Sequence, residues 1–302
     1  MAKIVIITGF TGSGKSGLAV DIAKQYNGEI ISCDSVQIYK GLNIGSAKVT
    51  EEEMQGIKHH LIDILEPKQE YSVGQFVKDC ETSINEIINK GKVPILVGGT
   101  GLYIKALLQG YNFSNTDKNE EFRQQQLQLA KTYGNQHVWQ KLNEIAPEKA
   151  QSVHPNNLKR VIRYLEIETF GNEEITTYSV LDGHNTLNIG LVVNDRQHIY
   201  DKINKRVDIM LADGLEQEVK DLLSAGLTLN DNCMNTIGYR EMAQYLTGEI
   251  DYNRAVELIK QHTRNYCKRQ LTFMKTMPNL LLLEKEQARA KIKEFLDDNT
   301  KQ

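Results

Sequence analysis

Short apolar runs alternating with polar, periodic stretches organise the first third of the chain. KIVIIT (Lys3 to Thr8) is a continuous apolar run of strand length, the pattern of a parallel strand buried on both faces. A glycine-rich turn follows, and then Leu18, Ala19, Ile22 and Ala23 recur at helical spacing. EIISC (Glu29 to Cys33) reads as a second strand ending at Asp34, and VPILVGG (Val93 to Gly99) as a third. Between them, SVGQFVKDCETSINEIINKG predicts a helix with Ser72 as its N-cap and Gly91 as its stop. This alternation implies a parallel sheet with helices on both faces.

The pattern changes near Tyr111. Asn112 to Gly171 is polar, rich in glutamine and helical in period, without strand-length apolar runs. Strand character returns in NIGLVV (Asn188 to Val193). A long helical stretch from Asp195 to about Ala225, a second from Asp251 to Met277 and a late apolar strand at Leu280 to Leu283 complete the chain. The expectation is a core formed by residues 1–112 and 190–302, with an all-helical insertion over 113–189.

Composition narrows this only a little. The chain has 302 residues, 40% hydrophobic and 25% charged, as in an ordinary globular protein. No apolar run approaches the roughly 18 residues of a membrane span, and the start lacks a signal-peptide cleavage pattern. The four cysteines (Cys33, Cys80, Cys233, Cys267) have no metal-ligand spacing, so a reduced, cytoplasmic protein without structural zinc is expected. Net charge is only −3, but Leu258 to Leu283 contains no acid and five bases, Lys260, Arg264, Lys268, Arg269 and Lys275. Lys260, Arg264 and Lys268 fall on one helical face, which suits either solvent or a polyanion.

The chemistry concentrates at the ends of the strands. GFTGSGKS (Gly9 to Ser16) matches the phosphate-binding pattern G-x-x-x-x-G-K-[ST] between a strand and a helix. Its glycines let backbone N–H groups converge on phosphate oxygens at a helix N-terminus, Lys15 adds a point charge, and the Ser16 hydroxyl suits Mg²⁺. The fold class expected is therefore α/β, a P-loop nucleoside-triphosphate-hydrolase-like parallel sheet. Asp34, at a strand C-terminus, is either a general base facing the loop or a cap on its own turn. GGTGLY (Gly98 to Tyr103) brings the Thr100 hydroxyl to a neighbouring strand end. No acid ends that strand, which weakens an ATP-hydrolysis reading. Adjacent His59 and His60 point opposite ways on an extended segment, so a structural role fits them better than a metal site. Trp139 reads as core of the insertion, and Arg206 is a cation able to reach back over the phosphate loop.

Taken together, GFTGSGKS, DSVQIYKGLNIGSAK, HHLID, VGGTGLYIKALL, HPNNLKRVIRYLEI, NKRVDIML, NTIGYREM and TRNYCKRQLTFMK resemble the bacterial tRNA isopentenyltransferase family, in family order and over nearly the whole chain. The resemblance implies transfer of a dimethylallyl group from dimethylallyl diphosphate to the exocyclic amine of the adenosine 3′ to the anticodon, with release of pyrophosphate. It implies Asp34 as base, with Thr100 and Arg206 at the phosphates. Gly9, Thr11, Gly12, Ser13, Gly14, Lys15 and Ser16 would clamp the diphosphate, with Mg²⁺ on Ser16. Asp34, Ser35, Val36 and Gln37 would receive a flipped adenine. Arg123, Lys159, Arg160 and Arg163 of the insertion would grip the anticodon stem-loop, as would Asn235, Gly238, Tyr239, Arg240, Lys268, Arg269, Gln270 and Lys275 of the later segments. A monomer acting on tRNA away from membranes is expected. Departures from the family pattern are mild: Phe10-Thr11-Gly12 for Pro-Thr-Ala, Ser46 and Val49 in G-T-A-K-P, Phe273 for Trp, and Lys275 for a frequent arginine. Two other enzyme classes share the loop, a small-molecule kinase and a prenyltransferase of free adenine nucleotides, and a non-catalytic tRNA-binding module is a third reading. The insertion and the late basic helix are idle in the first and unneeded in the second, and the intact loop argues against the third.

Overall fold

The computed structural model describes residues 1–112, 118–171, 177–193, 195–277 and 279–298. The chain runs β1 (Lys3–Gly9), α1 (Lys15–Gln25), β2 (Gly28–Ser32), α2 (Glu51–Met54), β3 (His59–His60), α3 (Val73–Asn89), β4 (Val93–Gly98) and α4 (Gly101–Gln109). A second compact unit, Tyr111–Tyr178, holds β5 (Tyr111–Asn112), α5 (Glu120–Tyr133), α6 (Asn135–Ile145), α7 (Pro147–Gln151), α8 (Leu158–Phe170) and β6 (Thr177–Tyr178). The first unit resumes at Ser179 with β7 (Asn185–Leu191), α9 (Arg196–Ala212), α10 (Leu215–Ser224), α11 (Tyr239–Leu246), α12 (Tyr252–Met274), β8 (Leu281–Leu283) and α13 (Lys285–Asp297).

In the first unit six parallel strands lie in the order β3-β2-β4-β1-β7-β8. β1 is central, and Ile4, Val5, Ile6 and Ile7 are all fully buried, as its unbroken apolar run requires. Val5 and Ile7 join α1 and α13 residues such as Leu18, Ile22, Ala288 and Ile292 in one core. The alternation of a strand turns Ile4 and Ile6 to the other face, and α3 and α12 also pack on the sheet.

The expected boundaries shift in two places. The insertion was expected to last to residue 189, but the chain has rejoined the core by Ser179, because β7 pairs with β1 from Asn185 onwards. Its expected start, residue 113, lies outside the described residues. The helix expected from Asp195 to Ala225 is two helices, broken where Gly214 takes φ 102° between α9 and α10.

The second unit packs its own core from Val138, Leu142, Ala150, Val161, Ile162 and Leu165. Trp139 lies against it, and its indole N–H reaches the carbonyls of Ala150 and Val153, each at 2.9 Å. The unit also carries a two-residue antiparallel ladder, β5 with β6, so it is not wholly helical.

Candidate active site

Register brings three strand ends together. Thr8 of β1 pairs with Gly98 of β4, and Ser32 of β2 with Val97. The loop Gly9–Ser16, the Cys33–Asp34 step and the Gly99–Thr100 step therefore leave the same sheet edge side by side, at the carboxyl ends where parallel sheets bind ligands.

The loop after β1 is held from outside. Gly12 and Gly14 take φ 88° and 84°, and Ser13 N–H closes a turn on the Phe10 carbonyl at 3.1 Å. Phe10 is 1% exposed and packs with Ile199, Ile203 and Cys267. The departure from proline thus replaces a rigid ring with a hydrophobic anchor. Gln270 of α12 accepts the Thr11 N–H at 3.1 Å and donates to the Gly99 carbonyl at 2.9 Å, tying the loops after β1 and β4 to each other. A Cβ on Gly99 would lie 2.4 Å from that amide nitrogen, and one on Gly101 would lie 2.4 Å from the Phe273 ring. Phe273 is therefore seated against α4.

Charge in this corner is unbalanced in favour of an anion. Burial first, and Arg206 second, bring the Lys15 ammonium down to about 8, with Asp34 and Cys267 opposing. Burial also lowers the Arg206 guanidinium, against the pull of Asp34 and Glu53. Among the described residues, Arg206 Nε and Ser13 Oγ are buried without hydrogen-bond partners. Buried donors are nearly always satisfied, so an unmet guanidinium N–H beside a phosphate-binding loop marks where an oxyanion belongs.

Asp34 caps its own turn. Its Oδ1 accepts from Val36 N–H at 2.9 Å and Gln37 N–H at 3.3 Å, capping the turn. Its Oδ2 makes no hydrogen bond among the described residues. The Thr100 hydroxyl accepts Ser35 N–H at 3.1 Å and lies 3.3 Å from the Ser35 hydroxyl, so the Asp34 turn is braced on the N-cap of α4. Tyr266 is a member of this corner that the motifs did not single out. Its hydroxyl is 3.5 Å from the Gly99 carbonyl, and burial, then the Asp34 charge, push it up to about 12. Tyr266, Gln270 and Phe273 recur at i, i+4 and i+7, a stripe along α12 that the neighbouring bases obscured.

Several residues expected on the RNA side face inward instead. Tyr239 is fully buried, and Gln270, 7% exposed, uses both ends of its amide on the two loops. Gly238 is buried at the start of α11, and Arg240 is paired with the buried Glu241. The α12 face of Lys260, Arg264 and Lys268 proves to be a seam with α9: Lys260 pairs with Asp208 at 2.5 Å, Arg264 bonds Asn204 at 2.7 Å, and Lys268 sits over the Tyr200 ring. In the insertion, Arg123 and Arg163 converge on the carboxylate of Glu166, which is fully buried. Burial alone would raise that carboxyl, but the two arginines and the Asn119 N–H hold it below its ordinary value. Lys159, Arg160, Asn235, Lys268, Arg269 and Lys275 are exposed.

The histidine pair is structural. His60 is buried 2.8 Å from Glu29, which Lys90 and Lys92 also contact, and His59 Nδ1 lies 2.9 Å from the Ile57 carbonyl. Burial alone would raise Glu29, but hydrogen bonds from Lys92, His60 and Lys90 bring it down to about 2.

Comparison with known proteins agrees with this geometry. The family model described as IPP transferase matches residues 37–277. A tRNA dimethylallyltransferase of Thermoanaerobacter sp. (strain X514) is 47% identical over 279 residues, 90% of this chain and 89% of its own. The crystal structure of the tRNA isopentenylpyrophosphate transferase from Bacillus halodurans superposes with a TM-score of 0.75 at 38% identity, over 100% of this chain and 99% of that one. A eukaryotic dimethylallyltransferase acting on tRNA superposes with a TM-score of 0.82 at 29% identity, over 100% of this chain and 81% of that one. With a family model matched over residues 37–277 and a relative 47% identical over 90% of the chain, the chain belongs to the IPP transferase family.

Proposed function

We propose that this protein transfers the dimethylallyl group of dimethylallyl diphosphate to the exocyclic amine of the adenosine 3′ to the anticodon in tRNA, in the cytoplasm. The observation that carries this is the unpartnered Arg206 Nε beside Lys15 and the phosphate loop, with Asp34 Oδ2 open across the same corner. The names borne by the relatives point the same way.

In the reaction the allylic carbon–oxygen bond breaks, a carbon–nitrogen bond forms, and pyrophosphate leaves with the electron pair. The adenine amine is a weak nucleophile, because its lone pair is delocalised into the ring. Asp34 Oδ2 takes its proton as the new bond forms, a general-base role. Lys15, Arg206, the Thr100 hydroxyl and the loop N–H groups neutralise charge on the departing diphosphate. Ser16, the second residue of α1, exposes its hydroxyl at the loop. Among the described residues no cluster of three His, Cys, Asp or Glu side chains is set to hold a metal. A hydroxyl completed by diphosphate and water suits Mg²⁺, a hard ion that keeps much of its hydration. When bound, Mg²⁺ supplies further charge neutralisation on the leaving group. A flipped adenosine reaches this corner through the turn Asp34–Gln37, while Lys159, Arg160, Asn235, Lys268, Arg269 and Lys275 offer charge and hydrogen bonds to RNA phosphates and loop bases.

The test is incubation with unmodified tRNA, labelled dimethylallyl diphosphate and Mg²⁺. Label in the RNA, with pyrophosphate released in equal amount, is expected. Label in free AMP alone, or phosphorylation dependent on ATP, overturns the reading.

Lys15 makes the site pH-dependent. Its charged form is disfavoured in the folded protein, so the ligand-free protein gains stability as pH rises from about 8 towards the ordinary 10.5. Pyrophosphate needs the charged form, so its affinity falls over the same rise. Calorimetric titration with pyrophosphate on either side of pH 8 is expected to show a steeper loss in the wild type than in Lys15→Arg, whose charge persists. Equal slopes would show that Lys15 does not titrate there.

A further inference from the structure

Beyond the residues that face the two substrates, the loop from Leu42 to Lys48 carries an arrangement that neither the phosphate site nor the RNA-facing bases explain. The N–H groups of Asn43, Ile44 and Gly45 all converge on the carboxylate of Glu218, at 2.8–3.1 Å. The next N–H, of Ser46, donates to the Tyr239 hydroxyl at 3.2 Å, and that hydroxyl donates to Glu218 at 2.7 Å. Four successive backbone donors are thus collected on one acid–phenol pair supplied by α10 and α11. Consecutive N–H groups aimed at one point form an anion-binding concavity, and here a side chain of the same chain fills it.

Packing makes the pair specific. Tyr239 is fully buried, and its ring lies so close to Gly45 that a Cβ there would sit 2.5 Å from it and 3.0 Å from Leu215. Ile38 and Leu42 share a core with Leu215, Val219 and Tyr239. The other side of the loop faces the site. Gln37 Nε2 donates to the carbonyls of Ser46 at 3.4 Å and Ala47 at 3.0 Å, and the Gln37 N–H donates to the Asp34 carboxylate. The loop is also strained: Ala47 takes φ 46°, and the adjoining Leu61 and Asp63 take φ 61° and 54°. Lys48 donates to the Tyr39 carbonyl at 2.7 Å and to the Asp63 carboxylate. Non-glycine residues persist in this region only where their surroundings over-determine them.

We propose that Glu218, with Tyr239, is a positioning residue for the transfer reaction. It holds the loop Asn43–Ala47, which orients Gln37 and, through it, the Asp34 turn that receives the adenosine. This rests on the transferase reading above. Neither residue is assigned to the diphosphate, whose loop is held separately by Phe10 and Gln270.

Glu218→Gln keeps the side chain's size but turns an amide donor towards backbone donors. Its turnover with saturating tRNA is expected to fall about 10–100-fold, the usual scale for residues that orient a reacting group, while pyrophosphate affinity stays within about twofold on the same scale. Tyr239→Phe keeps the ring and removes only the bridge, and it is expected to give a smaller fall in the same direction. It carries the test if Glu218→Gln does not fold. Amide hydrogen exchange is the second readout: residues 43–46 are expected to exchange faster in both variants, while β1 stays protected. Unchanged exchange at 43–46, or faster exchange with full turnover, overturns the proposal. A wild-type protein that transfers nothing to tRNA overturns the transferase reading instead, and the exchange measurement still reports whether the latch exists.

Discussion

Replacing Asp34 with alanine is expected to lower the turnover of dimethylallyl transfer by about 10²–10⁴-fold, the range over which a positioned base acts, while pyrophosphate binding survives. Alanine alone cannot separate the proposed base from the observed cap: it removes the proposed proton acceptor and also frees the N–H groups of Val36 and Gln37. Asp34→Asn does separate them, because the amide oxygen still caps the turn but the group takes no proton. We expect Asn to lose turnover nearly as fully as Ala while binding tRNA more tightly than Ala does. Asn with wild-type turnover would reduce Asp34 to a cap. An internal control comes with it. The Asp34 charge raises Lys15, so neutralising it is expected to move the pH break in pyrophosphate affinity below about 8.

The second large effect is steric. A methyl group on Gly98 would lie 2.1 Å from the Cys33 carbonyl oxygen and 2.4 Å from its carbon. These are backbone atoms, so no side chain can swing aside. The same carbonyl accepts the Thr100 N–H at 3.3 Å, and the Cys33 N–H donates to Val97 at 2.7 Å. Gly98→Ala must therefore part β2 from β4 at the point where Asp34 and Thr100 leave the sheet. A stability loss of about 3 kcal/mol, the upper end for overpacking, is expected, together with a severe loss of transfer activity. Gly17→Ala is the comparison: nothing lies within 4 Å of its added carbon, and it sits inside α1. Its melting temperature is expected to match or slightly exceed the wild type, since alanine favours the helix. If Gly98→Ala melts with the wild type and transfers normally, the β2–β4 contact is more compliant than its geometry indicates.

Both predictions concern residues that the chain itself displays. Lys3 to Thr8 had to be a buried strand because every residue from Ile4 to Ile7 is apolar, and a glycine-rich phosphate loop had to follow it because its spacing admits little else. Motif order along the chain was enough to suggest the family. What patterning could not show was where long polar side chains end up. Lys260, Arg264 and Lys268 look like an RNA-facing stripe, yet α9 takes up Lys260 with Asp208 and Arg264 with Asn204, and only Lys268, over the Tyr200 ring, stays exposed. Tyr239 and Gln270 stand in polar motifs and are buried, because their partners lie far away in sequence: Ser46 for Tyr239, and Thr11 and Gly99 for Gln270.

Strand, helix and loop identities follow from periods of two and 3.6 and from glycine's backbone freedom, which are local properties readable along a chain. The sequence by itself therefore determined the parallel sheet and the glycine-rich loop, and it placed Asp34 at a strand end with two roles open to it. Only the tertiary structure decided that Asp34 both caps and presents an oxygen, that Arg206 carries an unmet donor to the loop, and that Glu218 gathers the backbone of a segment more than 170 residues earlier. Each of these depends on which buried polar groups find partners, and that is settled by the packing of elements distant in sequence.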